Sequence, residues 1–177
     1  MAFGRALAVG LTILAAAASA QAAPYTAEYV FGDSLSDNGN LAEVFYRRNL
    51  PNPPSYQNSF TNGPVAAALV ANQLGLDLRP SLWVTAFTDP FKLYGSGAYV
   101  PGTNYAVAGA QSAENGNGIN LAAQVGAFGA LTGGKADPNA LYYIEIGGND
   151  VRNAALKGTG SPAIAAGVQT ELAQIQT

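Results

Sequence analysis

A run of strand-forming residues stops abruptly at Gly32, and the string that follows constrains this chain more than any other stretch. Tyr29, Val30 and Phe31 pack well on a pleated surface. Gly32-Asp33-Ser34-Leu35-Ser36-Asp37-Asn38-Gly39-Asn40 then has the make-up of a tight turn. Beyond it, Leu41 to Tyr46 has helical spacing and predicts a short helix. A serine in a strand-to-helix turn sits where a sheet ends and water begins, near helix N–H groups that can stabilise an anion. Ser34 is thus well placed for a nucleophile, although most turn serines are simple caps.

Composition narrows the chemistry further. The chain has 177 residues, enough for one domain with a core. Charged residues make up only 11% of it, against roughly 25% in ordinary soluble domains, and the net charge is −3. No basic cluster is present, which argues against a nucleic-acid partner. With no cysteine, disulfides, thiolate metal sites and a cysteine nucleophile are excluded. The chain also has no histidine, the most consequential absence for a serine nucleophile.

Residues 1–22 read as a secretory signal peptide. Arg5 supplies the positive start, and Ala6 to Ala18 is an apolar run broken only by Gly10 and Thr12. Ala18-Ser19-Ala20 and Ala20-Gln21-Ala22 both fit a small-x-small cleavage site. The run falls short of the ~20 apolar residues that span a bilayer. The expectation is export, with the mature protein beginning near Ala23 and continuing as one unit over 23–177.

Further along, Arg47 and Arg48 read as a solvated helix end, and Pro51-Asn52-Pro53-Pro54 as a loop. Pro64 predicts the first turn of an apolar helix ended by Gly75. Residues 77–101 have no clear period and hold Trp83, Phe87, Phe91, Tyr94 and Tyr99. They read as a long loop tucking aromatics onto the core, with an apolar wall for an acyl chain as the alternative. Asn104 to Val107 predicts a short buried strand, and Gly109 a turn glycine open to close backbone approach. A polar loop over 111–119 precedes a helix from Leu121 to Leu131 that stops at Gly133-Gly134. Leu141 to Ile146 is the clearest strand, apolar enough for a central parallel one. Asn149 reads either as a site residue or as the N-cap of a helix from Val151. Ser161-Pro162 opens a last helix whose Ile164, Val168, Leu172 and Ile175 share one face.

Two decoys fail. Gly129, Gly134 and Lys135 echo a phosphate-binding loop, but Ala136 stands where a hydroxyl is required and no strand precedes it. Asp33 and Asp37 lack the alternating oxygen ligands of a calcium loop. Neither a metal nor any other cofactor is expected.

The string Gly32-Asp33-Ser34-Leu35 resembles the first block of the GDSL esterases and lipases, which belong to the SGNH hydrolases. Its extension Ser36-Asp37-Asn38-Gly39-Asn40 resembles the secreted bacterial branch, as does Phe60-Thr61-Asn62-Gly63-Pro64-Val65. Asn104-Tyr105-Ala106 with Gly109-Ala110 resembles the second block, and Gly147-Gly148-Asn149-Asp150 the third. The resemblance implies that Ser34 is the nucleophile. It makes the Gly109 N–H and the Asn149 carboxamide donors to the oxyanion, with Asp150 a structural hydrogen-bonding partner. It also implies an acyl ester or lipid substrate and a flavodoxin-like three-layer α/β/α fold with a parallel sheet in strand order 2-1-3-4-5.

The family's base lies in a final Asp-x-x-His block, and this chain has no counterpart. Two explanations stand: the N-terminal part of a longer hydrolase, incomplete at its C-terminus, or an inactive relative that keeps the pocket as a binding module. The first is favoured, because the resemblance covers only strands 1 to 3 and would leave Leu141 to Ile146 as an exposed apolar edge. Acyl transfer to an alcohol or sugar is the alternative reaction on the same site.

Overall fold

The computed structural model describes residues 25–51, 55–86 and 101–157. The leader at 1–22, the aromatics from Phe87 to Tyr99 and the helix expected after Ser161 lie outside the described residues. Strand β1 (Glu28–Gly32) and strand β2 (Leu141–Glu145) pair in parallel, with Glu28 opposite Leu141 and Gly32 opposite Glu145. Parallel neighbours need a long crossover. Here it carries α1 (Asn40–Arg47), α2 (Ala66–Leu74), the single turn α3 (Trp83–Ala86) and α4 (Leu121–Thr132). Helix α5 (Gly148–Leu156) leaves the end of β2. The described residues therefore form an α/β unit with a parallel sheet.

The strand expected at Asn104 to Val107 forms only in part. It runs beside β1 on the edge away from β2, with Tyr105 N donating to Val30 O at 2.7 Å and Val107 N to Gly32 O at 3.1 Å. Its outer side meets side chains and the Arg79–Ser81 backbone. Asn104 Oδ1 accepts the Ala106 amide at 2.9 Å, and Asn40 Nδ2 reaches the Asn104 and Ala106 carbonyls at 2.9 and 2.8 Å. With those groups satisfied, pairing shrinks to isolated bridges from Asn104 to Val30 and to Pro80.

The composition of Leu141 to Ile146 suits a central parallel strand, and among the described residues β2 pairs with β1 alone and stands at the edge that coverage of only strands 1 to 3 leaves open. Its side chains alternate between half-buried and exposed, with Tyr142 and Ile144 open to solvent. β1 is the central element, and Val30 and Phe31 are buried on its opposite faces. Phe31 packs with Trp83, Tyr105, Val107, Leu121 and Ala127, and Val30 with Val65, Ala67 and Ala106. Phe128 meets Tyr29 and Phe31 edge-on, with centroids 5.0 and 5.7 Å apart. Each such pair adds about 0.5–1.5 kcal/mol beyond area burial. Trp83 is a core aromatic, as expected, but it opens the helical turn α3 where a loop is expected, and its Nε1 donates to Tyr105 O at 2.8 Å.

Helix ends follow their glycines. Gly75 and Gly133 close α2 and α4 with left-handed backbone, φ 69° and 65°. Pro64 is a correction: α2 begins at Ala66 behind an extended Val65, ψ 151°. Val65 is buried against Val30, and that anchoring delays the first helical residue past the proline.

Candidate active site

β1 ends where it does because its last residue has no side chain. A Cβ on Gly32 would overlap the Glu145 carbonyl of the paired strand. Gln124 of α4 secures the position, accepting the Gly32 amide and donating to its carbonyl, both at 2.8 Å. The chain then turns on Asp33. Its carbonyl accepts Ser36 N at 3.1 Å and Asp37 N at 2.9 Å, and its Oδ1 accepts Leu35 N at 3.0 Å. Ser34 rides on this turn, half-buried, and its hydroxyl and amide make no hydrogen bond with the described residues.

Ser34 does not cap α1, and the first amides of that helix are not open to an anion beside it. They belong to Asp37. Its Oδ1 accepts Gly39 N and Asn40 N at 2.8 Å each, and its Oδ2 accepts Leu41 N at 3.2 Å. The same Oδ2 accepts Ala108 N at 2.9 Å from the far side of the site.

That bond leads to Gly109, which is exposed, has φ 89°, and would offer an added Cβ only Ile119 Cδ1 at 3.9 Å. From Asn104 to Ala113 every backbone amide except that of Gly109 donates to an acceptor among the described residues. The acceptors are Arg79 O, Val30 O, Asn104 Oδ1, Gly32 O, Asp37 Oδ2, Val107 O, Asn120 Oδ1 and the two Asp150 oxygens. A loop so fully bonded leaves one N–H for something else.

Asn149 lies inside the first turn of α5, whose N-cap is Gly147 at φ 116°. The capping reading of Asn149 is therefore wrong. Its Nδ2 donates to Ala110 O at 2.9 Å and reaches Asp33 Oδ2 at 3.5 Å. One carboxamide thus joins the residue after Gly109 to the residue before Ser34. No hydrogen bond links Ser34, Gly109 and Asn149 to one another. Asp150 behaves as a structural partner: its carboxylate accepts Ser112 N and Ser112 Oγ at 3.0 Å and Ala113 N at 3.3 Å.

Residues 29–175 match the family model of the GDSL-like lipases/acylhydrolases. The chain belongs to that family. It is 34% identical over 165 residues to Lipase 1 of Photorhabdus luminescens, covering 93% of this chain and 21% of that protein. It is 36% identical over 166 residues to Esterase EstA of Pseudomonas aeruginosa, covering 79% of this chain and 24% of that protein. Esterase EstA of Pseudomonas putida matches to the same extent. The chain thus spans about a quarter or less of the length of these relatives. Those relatives carry the names of a lipase and of esterases.

Within this GDSL unit the turn is acidic. Burial pushes the Asp33 carboxyl above the usual carboxylate range against the pull of the Leu35 amide, and the Glu145 and Asp150 charges push it the same way. Glu145 Oε2 accepts Ser36 Oγ and Tyr143 OH, each at 3.0 Å, on the flank of the turn. Sequence reasoning missed Gln124, Asn40 and Asp37 as supports of the site. Gln124 carried a signal, since it is the polar side chain in the otherwise apolar run from Leu121 to Leu131.

Proposed function

We propose that this chain is the N-terminal portion of an exported serine ester hydrolase, with residues 1–22 its signal peptide and 23–177 part of one flavodoxin-like three-layer domain. Ser34 Oγ attacks the carbonyl carbon of an acyl ester or lipid, the alcohol leaves, and water releases the acyl group from the serine. The Ser34 and Gly109 amides and the Asn149 carboxamide receive the oxyanion, each worth about 3–4 kcal/mol. The single observation that supports this reading most is the Gly109 amide, unspent among the described residues in a loop whose other amides from Asn104 to Ala113 are all bonded. Asn149 adds to it by tying the Gly109 loop to the Ser34 turn.

The proton acceptor for Ser34 is not a histidine of these 177 residues. We assign it to an Asp-x-x-His block in the full-length protein, in keeping with relatives several times longer. No metal or other cofactor takes part in this scheme. The test is a fluorophosphonate probe on the full-length protein followed by digestion. Label on Ser34, lost in Ser34→Ala, supports the assignment; label on another residue, or undiminished label in Ser34→Ala, refutes it. The 177-residue chain alone should hydrolyse p-nitrophenyl esters at a negligible rate.

A further inference from the structure

We propose that Asp37 and Asp150 are positioning residues which grip the backbone on the two sides of Gly109 and so aim its amide. The inference rests on reading Gly109 as an oxyanion donor. Both acids make bonds that capping does not account for. Asp37 closes α1 with three amides, and its fourth bond, to Ala108 N at 2.9 Å, leaves the helix for the peptide unit before Gly109. Asp150 makes no capping bond within α5. All three of its bonds, to Ser112 N, Ser112 Oγ and Ala113 N, go to the loop after Gly109.

Carboxylates accepting backbone N–H groups form charge-assisted bonds, shorter and stronger than neutral ones. Between the two grips the chain adds the Ala110 N bond to Val107 O at 3.1 Å and the Asn149 bond to Ala110 O at 2.9 Å. Asp150 and Asn149 are adjacent on one helical turn, so the grip and the second oxyanion donor move as one body. The distance between the Gly109 amide and the Asn149 carboxamide is thereby set by Asp150, while Asp37 ties the same loop to the helix that follows Ser34. Preorganised donors stabilise an oxyanion only when they already point at it, so loosening a grip should be felt in the transition state and little in ground-state binding.

The experiment uses the full-length protein and compares wild type, Asp150→Ala, Asp150→Asn and Asp37→Asn. Rates on a p-nitrophenyl ester are counted per serine labelled by fluorophosphonate, which removes any unfolded fraction. Asp150→Ala is expected to lower kcat by about 10- to 100-fold with little change in KM. It should weaken a trifluoromethyl ketone, which forms a tetrahedral adduct on the serine, by the same factor. Asp150→Asn keeps one acceptor oxygen and should fall between wild type and Ala; if the Ala variant does not fold, Asp150→Asn and Asp37→Asn carry the same comparison. Wild-type kcat per labelled serine in these variants, or a fall in kcat with unchanged ketone affinity, overturns the proposal. Undiminished labelling in Ser34→Ala would instead bring down the ester-hydrolase reading beneath it.

Discussion

At the scale of single residues, the site depends on which polar groups are spent and which are kept. The Asn149 carboxamide has two hydrogens, one on Ala110 O at 2.9 Å and the other facing Asp33 Oδ2 at 3.5 Å, a weak contact that an oxyanion can displace. Asn149→Ala should therefore lower kcat by about 10²–10³-fold with KM nearly unchanged, measured by steady-state hydrolysis of a soluble ester. Gly32→Ala tests the support beneath Ser34. Its Cβ would overlap backbone of β2, which cannot give way as a side chain can, so a loss of about 2–4 kcal/mol in urea unfolding is expected. The motif positions were legible because glycines and short polar runs are conspicuous against strand residues. Which amide is left over was not. That depends on Asp37 reaching a residue 71 positions away and Asp150 reaching across 38, contacts no local pattern encodes.

At the scale of elements, β1 combines an apolar interior with one misplaced acid. Glu28 is fully buried, and neither carboxylate oxygen has a hydrogen-bond partner among the described residues. Burial raises its pKa, so the folded state holds its proton more tightly than the unfolded state does. Its contribution to stability is present below the unfolded glutamate pKa of about 4.3 and is lost as pH rises through the higher folded value. Glu28→Gln should raise the Tm at neutral pH, and the difference from wild type should vanish in acid. Thermal scans between acidic and neutral pH would show it, and a variant less stable than wild type at neutral pH would mean that the carboxylate is paired in solution. Helix ends at Gly75 and Gly133 were legible from sequence because a left-handed residue there needs glycine. The start of α2 was not, since it depends on where Val65 packs.

For the whole molecule, β2 presents Tyr142 and Ile144 to solvent, with no partner strand among the described residues on its outer side. An apolar edge of this kind pairs readily with other chains. The 177-residue chain should sediment as concentration-dependent oligomers, and Ile144→Lys should shift it toward monomer. Unchanged sedimentation of the variant would show that association uses another surface. Hydrogen bonds join the three motif blocks, and the parallel pairing of β1 and β2 follows the expectation from family resemblance. The half-formed strand at Asn104 departs from it, because Asn40 and Asn104 side chains take the backbone groups that a longer ladder would use.

Gln124 turns α4 into a ruler. One side chain answers both the amide and the carbonyl of Gly32, across 92 positions of sequence, so the helix has a single rotational setting against the end of β1. A residue inserted between Leu121 and Gln124 would swing that side chain by about 100° around the helix axis. The same insertion after Thr132 would leave the setting untouched. Tolerance to length change in this helix should thus break sharply at one position, dividing a part that calibrates the Ser34 turn from a part that only fills space.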